Sequence, residues 1–456
     1  MKGVLQNLDE YVKRLDFGDR FVRRNPLYYG SIRRQIDSLQ DCTLTERMRW
    51  TQARLGPILA AARRTRYGQD VGDARQLSDW PLLQKDRVRE SPTAFHSRAW
   101  FAARARTGGT TGTPVELVRS PAAVVAEQVC LDRMIRALDC DPRTARIAVL
   151  RADTVKPSSD ERPPFWTYAL GGRRLMLSSA HLSEGTLPAF LSELRKFRAD
   201  VLWVHPTMLE VLCRLLARSG ETLRVRGVLA SSEVLAPEVW KLARELLGCA
   251  IVDYYGLAER VAFAHAASPG EYLFLPGYAA IELVAHAAQG NEGWYEIVGT
   301  SLWNTAMPLV RYSTGDLIRT PARCNERELQ EIAYGIRPFS GVIGRSQDVL
   351  LSPNGRGVTP GVSYMAHGVE HLLRLQIVQH AADHIVLRVL AAPEFSQADA
   401  DRLMRNAQKK APPPTRIHIE IVDRLERTAR GKTPLVIHSP EVQQALRAVG
   451  LELRRR

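Results

Sequence analysis

The stretch DVLWVHPTMLEVLCRLLARSG, residues 200–220, decides the fold class. A short apolar run, DVLWVH, is followed by apolar residues at helical spacing and then by glycine, which is common just after a helix. Similar units lie on both sides along the chain: ARIAVL (145–150), LPAFLSELRKFR (187–198), VRGVLAS (225–231), APEVWKLARELLG (236–248) and AIVDYYG (250–256). Short strands that alternate with capped helices predict βαβ units, a parallel sheet and therefore an α/β fold.

Polar residues follow three of these predicted strands. They are HPT at 205–207, SSE at 231–233 and YYGLAE at 254–259. Ligands of open parallel sheets bind outside the carboxyl ends of the strands. The sequence therefore predicts that these three turns contribute to one site.

A glycine- and threonine-rich stretch, TGGTTGTP at 107–114, precedes the alternating region. A Walker loop needs a lysine directly after its last glycine, at the start of a helix. Here Gly112 is followed by Thr113, Pro114 and the strand-like VELV, so a Walker loop is excluded. Backbone N–H groups and the hydroxyls of Thr107, Thr110 and Thr111 could still enclose an anion, although a plain surface turn has the same composition.

Several further residues are candidates for chemistry, and each has a simpler interpretation. Lys432 in ARGKTP could be a solvated turn lysine, and Asp316 in STGDL could stabilise an Asx turn. In DYYGLAE, a flat tyrosine suits an adenine face and a carboxylate suits Mg²⁺, but a strand end and a surface glutamate also fit. HGVEH at 367–371 matches a zinc-peptidase pattern, but no long amphipathic helix carries it, so exposed or core histidines are the better interpretation.

Length and composition bound the class of protein. A chain of 456 residues is too long for one core, which predicts at least two domains. The N-terminus lacks an apolar signal core and no run approaches the roughly 20 apolar residues of a membrane span, so we expect a cytoplasmic protein that does not enter membranes. Six cysteines without a C-x-x-C pair argue against a disulfide framework or structural zinc, and most are expected to be buried.

The net charge of +14 predicts negatively charged partners. Because lysines and arginines are spread along the chain, anionic small molecules or an acidic partner protein are favoured over nucleic acid. Other segments predict the remaining architecture: a helical region in residues 1–100, including 47–68, antiparallel strands at 278–286 and 294–302, and a small α+β region after residue 344.

Taken in order, six motifs resemble those of the adenylate-forming (ANL) superfamily, most closely its phenylacetate–CoA ligase-like branch. They are TGGTTGTP, SSEVLAPE, DYYGLAE, PLVRYSTGDL, GRSQDVL and RTARGKTPLVI, and the resemblance extends from about Asn25 to the C-terminus. It implies a large N-terminal adenylation domain (1–344) with parallel sheets and a small, mobile C-terminal α+β domain (345–456). It also implies a two-step reaction, in which ATP and an acid give acyl-AMP and the acyl group then passes to a thiol, usually that of coenzyme A.

The resemblance also implies a role for each motif residue. Thr107, Gly108, Gly109, Thr110, Thr111 and Gly112 would enclose the β- and γ-phosphates, and Lys432 would reach the α-phosphate. The adenine and acyl sites would be lined by Ser231, Ser232 and Glu233. The nucleotide site would be formed by Asp253, Tyr254, Tyr255 and Gly256. Asp316 would hold the ribose, and Arg345 would contact the ribose or phosphate. Glu259 would bind Mg²⁺, and Trp203, His205 and Pro206, with Ser231, would contact an acyl group that is aryl or arylacetic in this branch.

The acceptor remains open at this stage. Coenzyme A is the first choice, but a carrier-protein thiol, an amine or another nucleophile in secondary metabolism or polysaccharide biosynthesis would use the same first step. A regulator that has lost catalysis is the alternative from another class, and the presence of Lys432 and Glu259 argues against it. The hinge motif of the superfamily is altered here, because Gln347, followed by Asp348, stands where it usually has an acidic or basic residue. The absence of cysteines soon after Glu259 predicts no zinc there. The resemblance also suggests a homodimer.

Overall fold

The protein is described here from a computed structural model. The described residues are 18–97, 102–106, 115–151, 155–156, 160–179, 181–285, 293–320, 322–345, 350–353, 357–358, 365–366, 369–408, 415–427 and 433–448.

The N-terminal region is helical, as expected. It contains a π-helical turn (Gly18–Arg23), α1 (Pro26–Ser38), α2 (Leu44–Arg63), α3 (Arg66–Val71), α4 (Lys85–Glu90) and two short 3₁₀ turns (Leu77–Asp79 and Pro92–Phe95). The run predicted over 47–68 is two helices, because Thr65 accepts a hydrogen bond from the amide of Gly68 (2.9 Å) and so begins a second helix.

A hairpin and a long helix follow. Strands β1 (Ala103–Arg106) and β2 (Glu116–Arg119) pair antiparallel, with Arg106 opposite Glu116. The expected VELV strand is therefore present, and residues 107–114 connect the two strands. Helix α5 (Pro121–Arg136) begins with proline, and its cap Ser120 accepts from the amide of Ala123.

An eight-stranded sheet forms the centre of the molecule. Its strands are β3 (Ile147–Leu150), β4 (Trp166–Ala169), β5 (Arg174–Leu177), β6 (Val201–Val204), β7 (Gly227–Ser231), β8 (Ala250–Gly256), β9 (Phe263–Ala266) and β10 (Leu273–Phe274). The order is β10-β9-β8-β7-β6-β3-β5-β4, parallel from β8 to β5 and antiparallel at both edges. The predicted parallel sheet is thus confirmed, and the antiparallel edges are additions that the sequence did not predict.

The predicted helices cover this sheet. They are α6 (Leu187–Phe197), α7 (Pro206–Ser219) and α8 (Pro237–Leu247). Gly220 and Gly248 end α7 and α8 in the left-handed conformation, with φ of 67° and 61°, which glycine adopts without a Cβ clash. These helices pack on the face that carries Leu202 and Val204, whereas α1, α2 and α5 pack on the face that carries Trp203.

A second sheet is antiparallel, as the sequence predicts. It contains β11 (Ala279–Ala285), β12 (Gly293–Ser301), β13 (Tyr312–Thr320) and β14 (Val342–Arg345) in that order. Helix α9 (Glu326–Ala333) follows β13 and precedes β14 along the chain. Asp316 pairs with Arg345 in the register of β13 and β14.

The C-terminal region has a hydrophobic cluster of its own. It contains the short hairpin β15 (Leu350–Leu351) and β16 (Gly357–Val358), then β17 (Leu372–Ala381), β18 (His384–Ala391), α10 (Gln397–Gln408), β19 (Arg416–Ile421), β20 (Val436–His438) and α11 (Pro440–Ala448). The sheet order is β19-β18-β17-β20. The small α+β region that the sequence predicts after residue 344 is therefore present.

Two expectations from composition can be compared with the structure. Cys130, Cys140 and Cys213 are buried, while Cys42, Cys249 and Cys324 are partly exposed, so the prediction that most cysteines are buried was wrong for half of them. Within the described part of the chain, no helix is long and apolar enough to cross a membrane.

Candidate active site

The polar turns predicted to meet do lie together at the carboxyl edge of the main sheet. Strands β6, β7 and β8 are parallel neighbours, with Val204 opposite Ala230 and Ser231 opposite Tyr254. His205, Ser231 and Tyr254 are therefore brought to adjoining positions by register alone, and all three are buried.

Trp203 organises the turn after β7. Its indole N–H donates to the hydroxyl of Ser231 (3.3 Å), which is fully buried. Ser232 follows with a φ of 74°, an uncommon conformation for a residue with a side chain. Its hydroxyl accepts a hydrogen bond from Arg151 (3.1 Å), which also donates to Nε2 of His205 (3.2 Å).

Glu233 contacts the start of a helix. Its carboxylate accepts from the backbone N–H of Thr207 (3.1 Å) in the first turn of α7. A carboxylate at a helix N-terminus satisfies a free amide and interacts favourably with the helix dipole. Glu233 thus links the turn after β7 to the turn after β6, where Pro206 begins α7.

Tyr255 and Asp316 join the two sheets. The Tyr255 hydroxyl donates to Oδ2 of the buried Asp316 (2.7 Å), and the amide of Asp316 donates to the hydroxyl of Thr314 (3.0 Å). Burial, strengthened by the Asp316 carboxylate, raises the pKa of Tyr255 well above its usual value, so the phenol remains a neutral donor. The arrangement fixes a carboxylate beside an aromatic ring at the sheet edge.

Asp253 is buried beneath this edge. Tyr272 donates to its Oδ2, and its Oδ1 has no hydrogen-bond partner among the described residues. Burial raises the pKa of Asp253 to about 7, although the hydrogen bond from Tyr272 opposes the shift. The role at adenine that the resemblance implies for Asp253 stays a prediction.

Glu259 is a buried carboxylate with two close partners. The ammonium of Lys85, at the start of α4, lies 3.1 Å from Oε1, and the hydroxyl of Tyr312 donates to the same oxygen (2.8 Å). Burial opposes ionisation, but the Lys85 charge and the Tyr312 hydrogen bond outweigh it and lower the pKa of Glu259. An ionised oxygen ligand of this kind suits Mg²⁺, and such an ion would share the carboxylate with Lys85.

Sequence reasoning did not identify the neighbours of Glu259. Arg260 forms an ion pair with Glu127 of α5, and Tyr278 also donates to that carboxylate. Arg119, at the end of β2, donates to the carbonyl of Ala258 (2.6 Å). These contacts hold the turn that carries Glu259 between the hairpin and α5.

Two family models match the chain. Residues 102–318 match the model described as "AMP-binding enzyme", and residues 350–439 match the "CapK C-terminal domain". Among curated proteins, the chain is 21% identical to Protein CapK of Staphylococcus aureus over 370 residues, covering 80% of each chain. It is 27% identical to phenylacetate-coenzyme A ligase of Pseudomonas putida over 199 residues, covering 40% of this chain and 42% of the relative.

The chain is a member of the adenylate-forming superfamily. Its fold is similar to that of a 2-hydroxyisobutyryl-CoA ligase solved in the postadenylation state with R3-HIB-AMP, with a TM-score of 0.62, 17% identity and coverage of 90% of this chain and 93% of the ligase. A second structure of that ligase, with 2-HIB-AMP, gives a TM-score of 0.59 at 16% identity over 90% and 93% of the two chains.

Several of the predicted residues of this adenylate-forming protein fall outside the described residues. They are Thr107, Gly108, Gly109, Thr110, Thr111, Gly112 and Lys432; for Arg345 the structure describes only the backbone in β14. His367 of the zinc-like pattern is also outside, while His371 lies 2.8 Å from Asp399. Among the described residues, no group of three or more histidine, cysteine or carboxylate side chains could hold a metal ion.

The residues that flank Lys432 are anchored to the small sheet. The side-chain amide of Gln376 in β17 is buried and donates to the carbonyls of Pro434 (2.8 Å) and Glu426 (3.0 Å). Arg374, also in β17, donates to the carbonyl of Thr433 (3.4 Å). Both ends of the segment that carries Lys432 are therefore attached to one strand of this adenylate-forming protein.

Proposed function

We propose that this protein uses ATP to activate a carboxylic acid as an acyl-adenylate and then transfers the acyl group to the thiol of coenzyme A. The observation that carries the proposal is the pair of buried carboxylates where the two sheets meet, Glu259 and Asp316, each held by a tyrosine hydroxyl. Membership of the superfamily, through the AMP-binding family model, supports the same reaction class.

The site residues divide the work by charge. Asp316 accepts hydrogen bonds and suits the vicinal hydroxyls of a ribose, while the free Oδ1 of Asp253 suits the amino group of adenine. Glu259 is the residue that would hold Mg²⁺, which neutralises phosphate charge and favours departure of pyrophosphate. Lys85 keeps Glu259 ionised, so that the carboxylate is available at neutral pH.

The first step joins two anions. An oxygen of the acid attacks the α-phosphorus of ATP, and the bond to pyrophosphate breaks. Positive charge at the α-phosphate and the attacking carboxylate is the main requirement, and we assign it to Lys432. In the second step the thiol sulfur attacks the acyl carbonyl carbon, its proton passes to solvent and AMP leaves.

Exchange of labelled pyrophosphate into ATP, measured with a panel of carboxylic acids, tests the first step. We expect acid-dependent exchange in the wild type and a loss of about 100-fold or more in Lys432→Ala, because this variant removes a charge aimed at the transition state. Lys241→Ala is the matched control, since Lys241 is exposed on α8. Acid-dependent exchange at the wild-type rate in Lys432→Ala would contradict the mechanism.

A second acceptor class has one specific observation in its favour. Residues 350–439 match the CapK C-terminal domain, and Protein CapK aligns over 80% of the chain. The alternative function is therefore transfer of the acyl group to a carrier-protein thiol, an amine or another nucleophile. Mass spectrometry of the product formed with coenzyme A, a holo-carrier protein or an amine distinguishes the two; acid-dependent exchange with no thioester of coenzyme A favours the alternative.

A further inference from the structure

Two arginines lie against the indole of Trp203. The guanidinium carbon of Arg151, just after β3, is 4.8 Å from the centre of the ring, and that of Arg174, the first residue of β5, is 5.4 Å away. Trp203 is itself almost completely buried, and its N–H is bonded to Ser231 in the predicted acyl site. Two positive charges thus flank the Trp203 indole, that of Arg151 from the carboxyl edge of the sheet and that of Arg174 from the first residue of β5.

Neither arginine has a carboxylate partner among the described residues. Arg151 donates only to neutral groups, His205 and Ser232, and Arg174 makes no side-chain hydrogen bond to a described residue. Burial lowers the pKa of Arg174 to about 10, and Arg23 and Arg24 lower it further by repulsion, although Asp19 opposes them. Both side chains keep partial exposure to solvent, and a guanidinium that is not hydrogen-bonded to a carboxylate is a ready donor to a bound anion.

A row of aromatic rings connects the Trp203 indole to the turn that carries Glu259. The Trp203 and Tyr254 rings are 6.4 Å apart, Tyr254 stacks on Phe263 at 5.2 Å with an interplanar angle of 8°, and Phe263 lies 5.4 Å from Tyr278. Tyr278 belongs to the network of Glu127 and Arg260, next to Glu259. These four rings belong to one buried cluster, so the Trp203 indole and the turn that carries Glu259 are held in one packed layer.

We propose that the acyl substrate carries a second anionic group at its distal end, bound by Arg174 and Arg151 against Trp203. This inference rests on the proposed acid activation and specifies its substrate class. The guanidinium fork matches a carboxylate in two parallel hydrogen bonds, and Arg174 has its donors free for such a pair among the described residues. A neutral aryl or alkyl end would offer these two guanidinium groups no acceptor.

Binding without chemistry gives the first test. Thermal unfolding midpoints are measured with three dicarboxylic acids, succinate, glutarate and adipate. They are compared with midpoints for monocarboxylic acids of equal length, butyrate, valerate and hexanoate. A further ligand, 3-phosphonopropionate, distinguishes a preference for a distal carboxylate from one for a phosphate-like group. In the wild type, we expect at least one doubly charged acid to bind about tenfold more tightly than its singly charged counterpart. Arg174→Gln is expected to remove that preference.

Matched variants separate charge from folding. Arg174→Lys keeps the charge and should retain part of the preference, whereas Arg195→Gln, an exposed arginine paired with Glu221, should bind all the acids as the wild type does. The same variants are then assayed by acid-dependent pyrophosphate exchange, where Arg174→Gln should raise the KM for the doubly charged acid about tenfold.

The outcomes distinguish this inference from the proposed function. Equal binding of singly and doubly charged acids overturns the inference, even if exchange is observed. Selective binding that depends on Arg174 but is accompanied by no exchange supports the anion site and contradicts acid activation. Adenosine 3′,5′-bisphosphate, a part of coenzyme A, is the last ligand. If it raises the unfolding midpoint more than any dicarboxylate does, and Arg174→Gln abolishes that increase, the arginines bind coenzyme A and the inference is overturned.

Discussion

Asp253 is a buried carboxyl group whose surroundings disfavour its charged form. Its pKa is raised to about 7 by burial, whereas an aspartate in an unfolded chain titrates near 3.9. The native state therefore holds the proton more tightly, and ionisation of Asp253 destabilises it progressively as pH rises from about 4 to about 7. Over that range this one group lowers the free energy of unfolding by roughly 4 kcal/mol.

We expect Asp253→Asn to reduce the decline in stability between pH 4 and 7, because the amide cannot ionise and still offers Tyr272 an acceptor. Urea unfolding of the wild type and variant at a series of pH values measures the difference. Asp70→Asn, an exposed aspartate, is the control and should follow the wild type. Parallel stability curves for Asp253→Asn and the wild type would contradict the assigned pKa.

Some candidate site residues could be proposed from the sequence, but the partners that the structure gives them could not, for a physical reason. Tyr255, Glu259 and Asp316 stand in short motifs whose residue types suit a nucleotide and a metal. Lys85 and Arg174 stand in ordinary local sequence, and only the fold brings Lys85 to Glu259 and Arg174 to Trp203. A charge acquires a function from neighbours that are distant in the chain, and a local pattern does not contain that information.

At the scale of elements, the two sheets meet at a glycine in β12. A Cβ on Gly299 would stand 2.0 Å from the carbonyl oxygen of Val261, two residues after Glu259. Gly299→Ala must displace that backbone, and we expect a loss of about 1–3 kcal/mol in the free energy of unfolding. The turn that carries Glu259 should move as well, so acid-dependent exchange should also slow.

Gly30→Ala in α1 is the matched control, because a Cβ there meets no atom within 4 Å. Alanine favours the helix over glycine, so this variant should be up to about 1 kcal/mol more stable than the wild type. Urea midpoints of the two variants give the comparison. If Gly299→Ala were as stable as the wild type, the close approach of the sheets at this point would be refuted.

The order of elements could be predicted from the sequence, whereas their lateral arrangement could not. Apolar periodicity and the glycines at 220 and 248 predicted β6, α7, β7, α8 and β8, and local hydrogen bonding is sufficient for that. The position of β5 beside β3, and the antiparallel strands β4 at one edge and β9 and β10 at the other, depend on which surfaces remain to be buried. Those surfaces belong to the assembled sheet and to no single segment.

At the scale of the whole molecule, the large and small regions touch through α7. Arg218 at its end forms ion pairs with Glu184 of the large region and Glu394 of the small region. Exposed ion pairs contribute about 1 kcal/mol or less, so this contact alone does not hold the two regions in one arrangement. Such a weak contact is compatible with the domain boundary predicted between residues 344 and 345. It is also compatible with the predicted mobile C-terminal domain that carries Lys432.

The net charge of +14 makes a prediction about the acceptor. A positive protein attracts the phosphates of coenzyme A or an acidic carrier, and salt screens this attraction with a Debye length of about 10 Å at 0.1 M. Between about 50 mM and about 300 mM NaCl we expect the KM for coenzyme A to rise several-fold. Hydroxylamine, a neutral acceptor that traps acyl-AMP, feels no such field.

The trapping rate at saturating ATP and acid is therefore the internal control. It reports any effect of salt on the first step, and the coenzyme A measurement is corrected for it. If the KM for coenzyme A does not change with salt, the positive charge of the protein does not act on coenzyme A. If the KM for an acidic carrier protein then does rise with salt, the carrier protein is the better acceptor. The overall charge thus becomes a measurable argument about which thiol the site serves.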